Sequence, residues 1–169
     1  MSLHRYIVAL GSNQRHPRHG DPSAILWAAL DEIGRRNCRI DAVSPTIRSR
    51  PIGPSQRVYC NGIAVVSTGL EPHELLDELQ AVEALFGRRR QGQRWRSRTL
   101  DLDIVLWSGG CWADESLIIP HPEFRKRDFV LGPAARVAAG WRDPITGVTV
   151  QQLHHRLAKG LTRSPTPPR

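Results

Sequence analysis

The stretch Val58–Thr68 constrains the fold most. Ile63 and Val65 point to one side of an extended chain, Ala64 and Val66 to the other, and all four are apolar. A strand apolar on both faces belongs inside a sheet that is covered on each side. The chain must therefore supply neighbouring strands and at least two layers of packing around this one element.

The remaining segments supply them in order. Leu3–Leu10 reads as a first strand, ended by the turn residues Gly11-Ser12-Asn13. After a polar loop to His19, Asp21 is a helix N-cap with Pro22 at the first helical position. Leu26, Ala29, Leu30 and Ile33 recur at helical spacing, and Gly34 is the stop. Cys38–Arg48 is an imperfectly alternating strand, and Pro45 inside it predicts an edge position. A Pro/Gly-rich loop, Ser49–Gln56, leads to the central strand. Glu71-Pro72 opens a second helix with Leu75, Leu79, Val82 and Phe86 as its buried stripe and Gly87 as its end. Asp101–Trp107 is a further strand, with Gly109-Gly110 as a turn and Cys111–Ile119 as its hairpin partner. Phe129–Ala139 and Val150–Leu157 read as short helices. The order β-α-β-β-α-β predicts a ferredoxin-like α+β fold: an antiparallel sheet with helices on one face, plus extra C-terminal strand and helix elements. One domain over residues 1–161 is expected, with a disordered proline-rich tail over 162–169.

The 169 residues carry a formal net charge of +8, which points to an anionic partner: nucleic acid, an anionic membrane surface or a phosphorylated small molecule. Three cysteines, widely spaced and without a CxxC pair, argue against a disulfide framework and a structural zinc site. The apolar run Tyr6–Leu10 is too short for a signal-peptide core or a membrane span, so a soluble cytoplasmic chain is expected.

Chemistry concentrates in Arg94–Trp107. In a strand, residues i and i+2 share a face roughly 6.5–7 Å apart, which puts Asp101 and Asp103 side by side. The plain alternative is an edge strand with a solvated acidic face. Like charges side by side are unfavourable without a cation, however, and aspartate is depleted in strands. Two carboxylates so placed can grip divalent ions, and a metal pair about 3.5–4 Å apart is the usual clamp on a transferring phosphoryl group. Arg88, Arg90, Arg94, Arg96 and Arg98 come immediately before. Gly87–Gly92 matches half of a P-loop, but Gln93-Arg94 follows where Lys and Ser/Thr are required, so that motif fails. The arginines remain suited to bidentate phosphate recognition, and together with the acids they point to a polyphosphate such as ATP. Trp95 among these charges reads equally as a ligand cover or a core plug.

A second group of residues suits a flat heterocycle. Tyr59 and Asn61 share one face of the central strand, an aromatic plane beside an amide that donates and accepts at once. The same pair also reads as a structural bulge. His121, between two prolines and followed by Arg125, Lys126 and Arg127, is either an exposed loop residue or a phosphate contact. Gln80 and Glu83, three apart on the second helix, fit an ordinary solvated face. The other histidines lack metal-ligand spacing.

These residues together resemble the 6-hydroxymethyl-7,8-dihydropterin pyrophosphokinase family, from Tyr6 to about Leu157. The signature is Arg98-Thr-Leu-Asp101-Leu-Asp103-Ile-Val, preceded by Gly11-Ser12-Asn13, Pro51-Ile-Gly-Pro54 and Tyr59-Cys-Asn61 and followed by Pro120-His121. The resemblance implies transfer of pyrophosphate from ATP to the pterin hydroxymethyl group, with AMP released. It implies two Mg²⁺ ions on Asp101 and Asp103, with Arg88 and Arg98 acting beside these acids in catalysis. Nucleotide contacts are implied for Gln80, Glu83, Arg88, Arg90, Trp95, Arg98, Ile104, His121 and Arg127. The pterin is implied to lie between Tyr59 and Phe129, bonded to Asn61 and to the backbone at Ser49 and Ile52, near Asp101 and under Trp95 on a closing loop. A monomer acting on these two small molecules, with no nucleic-acid or membrane partner, is the expectation. The chain departs from the family's pattern at Ile47, Ser49, Arg50, Gln91 and Arg96. The rival reading, a basic ferredoxin-like RNA-binding module, requires an aromatic-rich strand motif that is absent from the sequence.

Overall fold

A computed structural model describes residues 2–14, 16, 18–49, 59–87 and 99–162. The strands are β1 His4–Ser12, β2 Cys38–Val43, β3 Ile47–Ser49, β4 Tyr59–Thr68 and β5 Asp101–Trp107, followed by the short strands β6 Trp112–Ala113 and β7 Ile118–Ile119. The helices are α1 Pro22–Gly34, α2 Pro72–Leu85, α3 Asp128–Val137 and α4 Val150–Thr162, with a single 3₁₀ turn over Phe124–Lys126. The main sheet runs β2-β4-β1-β5, with β3 also paired to β4, and every pairing is antiparallel. This is the ferredoxin-like α+β order, with the doubly apolar strand β4 inside the sheet as expected.

Side-chain alternation sorts the two faces. Tyr6, Val8 and Leu10 of β1, Cys60, Ala64 and Val66 of β4, and Leu102 and Ile104 of β5 pack with Ile25, Leu26 and Ala29 of α1 and Leu75, Leu79 and Val82 of α2. The intervening residues Ile7, Ile63 and Val105 form a second core with Phe124, Val130 and Leu131. The two crossover helices thus share one face, and the added C-terminal helices cover part of the other. The helix starts follow from their caps: Asp21 Oδ1 accepts from Ala24 N at 2.9 Å before α1, and a Glu71/Glu74 capping box opens α2.

Several local expectations shift. Gly11 and Ser12 extend β1 instead of turning: Gly11 pairs with Asn61 on one side and Asp101 on the other. The expected second strand is interrupted at Ser44-Pro45-Thr46, because proline cannot donate to the ladder, and it resumes as β3. Cys111–Ile119 does not pair with β5; it folds on itself, with Trp112 opposite Ile119. Thr162 is the last residue of α4 rather than the first of a tail. Gly34 closes the helical span without a left-handed backbone, which falls instead at Asn37 (φ 57°). Among the described residues, no helix is long and apolar enough to cross a membrane.

Candidate active site

On the sheet face bearing α3, the residues of β1 shrink along the strand from Ile7 to Ala9 to Gly11. The small end is flanked by Asn61 on β4 and Asp101 on β5. Beyond the reach of Phe124, and with Val130 at its edge, this leaves a cavity of about 450 Å³. Ala9 and Gly11 form its floor; Tyr59, Asn61, Asp101 and Asp103 line the strand side; Lys126, Arg127 and Phe129 form the opposing wall. Gly11 has a spatial reason to be glycine, because a Cβ there would lie 3.0 Å from Asn61 Oδ1.

The fold thus brings together Tyr59, Asn61, Asp101, Asp103, Arg127 and Phe129 from the expected set. Asp101 and Asp103 share the cavity face, as the strand period requires, while Leu102 between them is buried on the other side. The Asp103 side chain is 50% exposed. The end of β1 is tied to the start of β5 by Ser12 Oγ, which donates to the Thr99 carbonyl at 2.5 Å. Arg127 places its guanidinium over the Phe129 ring, 5.7 Å from the centroid.

His121 reaches Asp103. Its backbone N–H donates to the Val105 carbonyl at 3.0 Å, which docks the loop on β5. Its Nδ1 accepts from the Glu123 N–H at 3.1 Å, leaving the ring proton on Nε2, which lies 4.0 Å from Asp103 Oδ2. Burial pushes the imidazole pKa below its ordinary value, partly opposed by the Asp103 carboxylate.

Gln80, Glu83 and Ile104 are placed elsewhere. Ile104 is in the α1/α2 core, and Gln80 is half-buried on α2. Glu83 is not on a solvated helix face: it is 1% exposed, and its Oε2 accepts the Leu102 N–H at 3.2 Å. An edge-strand amide is thereby satisfied, and the strand carrying the two acids is pinned to α2. Ser49 faces Tyr59 in the β3–β4 pairing. Ile52, Arg88, Arg90, Trp95 and Arg98 lie outside the described residues.

Sequence reasoning missed Ala9, Gly11 and Lys126 as cavity residues. The falling size series Ile7-Ala9-Gly11 on one strand face was the available signal. Arg125, read as one of three loop cations, instead turns inward. Its Nε and second terminal nitrogen donate to the two Asp143 oxygens at 2.6 and 2.8 Å.

Comparison with known proteins agrees with this geometry. Residues 7–139 match the family model described as 7,8-dihydro-6-hydroxymethylpterin-pyrophosphokinase. A 2-amino-4-hydroxy-6-hydroxymethyldihydropteridine pyrophosphokinase of Pseudomonas aeruginosa is 43% identical over 144 residues, covering 84% of this chain and 85% of that protein. The Haemophilus influenzae protein of the same name is 38% identical over 158 residues, with 90% and 95% covered. In fold, the chain is similar to a crystal structure of Plasmodium falciparum HPPK-DHPS, with a TM-score of 0.75 at 12% identity. The likeness covers 96% of this chain and 42% of that one, so the chain spans less than half of that protein. With the family model spanning most of the chain and close relatives matched over nearly their whole length, the chain belongs to the 7,8-dihydro-6-hydroxymethylpterin-pyrophosphokinase family.

Proposed function

We propose that the chain transfers the terminal diphosphate of ATP to the hydroxymethyl oxygen of 6-hydroxymethyl-7,8-dihydropterin, releasing AMP. The observation that carries this reading is the convergence, around one cavity, of a carboxylate pair (Asp101, Asp103) with an aromatic and amide set (Tyr59, Asn61, Phe129). The first suits a metal-bound polyphosphate and the second a flat, hydrogen-bonding ring.

The donor set fits magnesium. It is two hard oxygen ligands on one face, and among the described residues no group of three or more histidine, cysteine or acidic side chains is placed to cage a softer metal. Magnesium is usually held by one or two protein carboxylates, and its remaining positions go to water and substrate phosphates. We assign two ions to Asp101 and Asp103; when bound, they would neutralise phosphate oxygens and polarise the phosphorus under attack.

The chain's own residues do the rest by position and charge. Tyr59 and Phe129 hold the pterin by its faces, and Asn61 reads its edge, along with the backbone at Ser49 and Ile52. The hydroxymethyl oxygen then bonds to the β-phosphorus as the bond from that phosphorus to the α,β-bridging oxygen breaks. AMP leaves with that oxygen on its α-phosphate. Asp101, at the pterin side of the acid pair, is the group assigned to receive the hydroxyl proton. His121, held neutral by burial, offers its Nε2–H to a phosphate oxygen, with Arg127 beside it. Arg88, Arg90 and Arg98 are assigned to the triphosphate, Gln80, Glu83 and Ile104 to the nucleotide along β5, and Trp95 to both ligands. Residues 1–161 act in this reading as one monomeric catalytic domain in the cytoplasm, with neither nucleic acid nor membrane as partner.

The test is AMP formation by purified, folded protein, measured with and without Mg²⁺ and the hydroxymethyl-dihydropterin. AMP appears only when both are present. Its absence under those conditions overturns the reading, and RNA binding with a steep salt dependence would then favour the nucleic-acid module.

A further inference from the structure

Three consecutive cations, Arg125, Lys126 and Arg127, meet three different fates. Arg125, half-buried, is paired with Asp143, a side chain with 0% exposure. Asp143 also accepts from the Thr146 hydroxyl at 2.8 Å and the Ile145 N–H at 3.1 Å. Burial alone would raise the Asp143 carboxyl pKa; the Arg125 fork and the two further donors outweigh it and hold the group at about 2. Arg127 lies over Phe129. Lys126 is exposed and lines the cavity that holds Asp101 and Asp103. Among the described residues no carboxylate pairs with it, since Asp128 is taken by His154 at 3.3 Å and Asp143 by Arg125.

The backbone beneath Lys126 is fixed on every side. Phe124 is in the core, the Arg125 fork ties the turn to the Asp143 loop, and the Lys126 N–H donates to the Glu123 carbonyl at 3.1 Å. A phosphate contact from this lysine therefore orders only the side chain, not the chain around it. An ammonium held on the wall opposite a pair of metal-binding carboxylates faces the polyphosphate from the side the acids cannot serve.

Resting on the reading above, we infer that Lys126 is a further substrate-binding residue, whose ammonium takes oxygens of the β- and γ-phosphates of ATP alongside Arg127. The closing experiment measures binding, not turnover: calorimetric titration of wild type, Lys126→Met and Lys126→Arg with a magnesium complex of a non-hydrolysable ATP analogue, and separately with AMP. Because Lys126 is exposed, both variants keep the fold, which circular dichroism checks. Lys126→Met binds the triphosphate about five- to twentyfold more weakly and AMP with little change, while Lys126→Arg stays within about threefold of wild type. Equal triphosphate affinity for wild type and Lys126→Met overturns the inference and leaves the enzymatic reading standing, as does an equal loss for AMP and triphosphate. A wild-type protein that does not bind the triphosphate overturns both.

Discussion

The two faces of the sheet are built from the same strands, one residue apart, yet do opposite work. Leu10, Leu102 and Cys60 pack one face against α1 and α2 in a continuous apolar core. Their immediate neighbours Gly11, Asp101, Asp103 and Asn61 open the other into a chamber of about 450 Å³. The difference is set by coverage. α1 and α2 pack along their face as far as Leu10 and Leu102, whereas on the other face Phe124 and Leu131 pack with Ile7, Ile63 and Val105, and Val130 stands at the chamber's edge. Where the cover stops, the sequence switches from branched apolar residues to glycine, amide and carboxylate. Stability and chemistry are thereby placed on opposite sides of a single residue alternation.

The sharpest way to break that division is at the β5 triplet. Asp101→Ala and Asp103→Ala are each expected to lower turnover by about a thousandfold, in line with losing a charge-stabilising group in a phosphoryl-transfer site. Denaturant stability should change by less than about 1 kcal/mol, because neither aspartate side chain is buried. Leu102→Ala, between them, is expected to do the reverse. It removes a buried side chain at a cost of about 2–5 kcal/mol while the folded fraction keeps turnover within about fivefold. Near-normal rates in either aspartate variant would sink the metal assignment. A Leu102 variant as inactive as the aspartate ones would show that the faces cannot be separated.

The glycines make a finer version of the same comparison. Gly11 and Gly62 lie on neighbouring strands, but a Cβ on Gly11 would press on Asn61 Oδ1 at 3.0 Å, whereas one on Gly62 finds nothing nearer than 3.8 Å. Gly11→Ala should therefore raise the KM for the pterin about tenfold with the KM for ATP little changed, and Gly62→Ala should shift both by less than about twofold. Steady-state kinetics with each substrate varied checks both, and a Gly11 variant with an unaltered pterin KM removes Asn61 from the pterin site.

The division was partly legible in the sequence. The doubly apolar β4, the helix caps at Asp21 and Glu71 and the acid pair on β5 are local patterns, and each emerged at its expected place. What was not legible depended on partners distant in sequence. Glu83 reads as solvated because it lies off the Leu75-Leu79-Val82-Phe86 stripe, three residues from Gln80; its burial goes with the Leu102 N–H that it accepts, which no helical period encodes. Arg125 reads as part of a basic run until Asp143, eighteen residues on, is folded against it. Gly11 reads as a turn because glycine is a turn signal, but here it serves as an empty space between Asn61 and Asp101, a role visible only once three strands are aligned.

The smallest expected effect lies on the boundary between cover and chamber, at His121. Burial disfavours its cation, so its folded pKa lies below the ordinary value of 6.5 despite Asp103 at 4.0 Å. The unfolded chain then binds more protons than the folded one between those two values, so stability rises with pH across that window. The contribution is complete above 6.5 and lost as pH falls toward the folded pKa. Comparing urea midpoints of wild type and His121→Gln from pH 7 to pH 5 isolates it, because the other histidines are common to both proteins. Wild type should lose more stability than the variant over that interval, by less than about 1 kcal/mol. If the two curves run parallel, burial does not control this imidazole, and the neutral Nε2–H donor assigned to the phosphate side of the site goes with it.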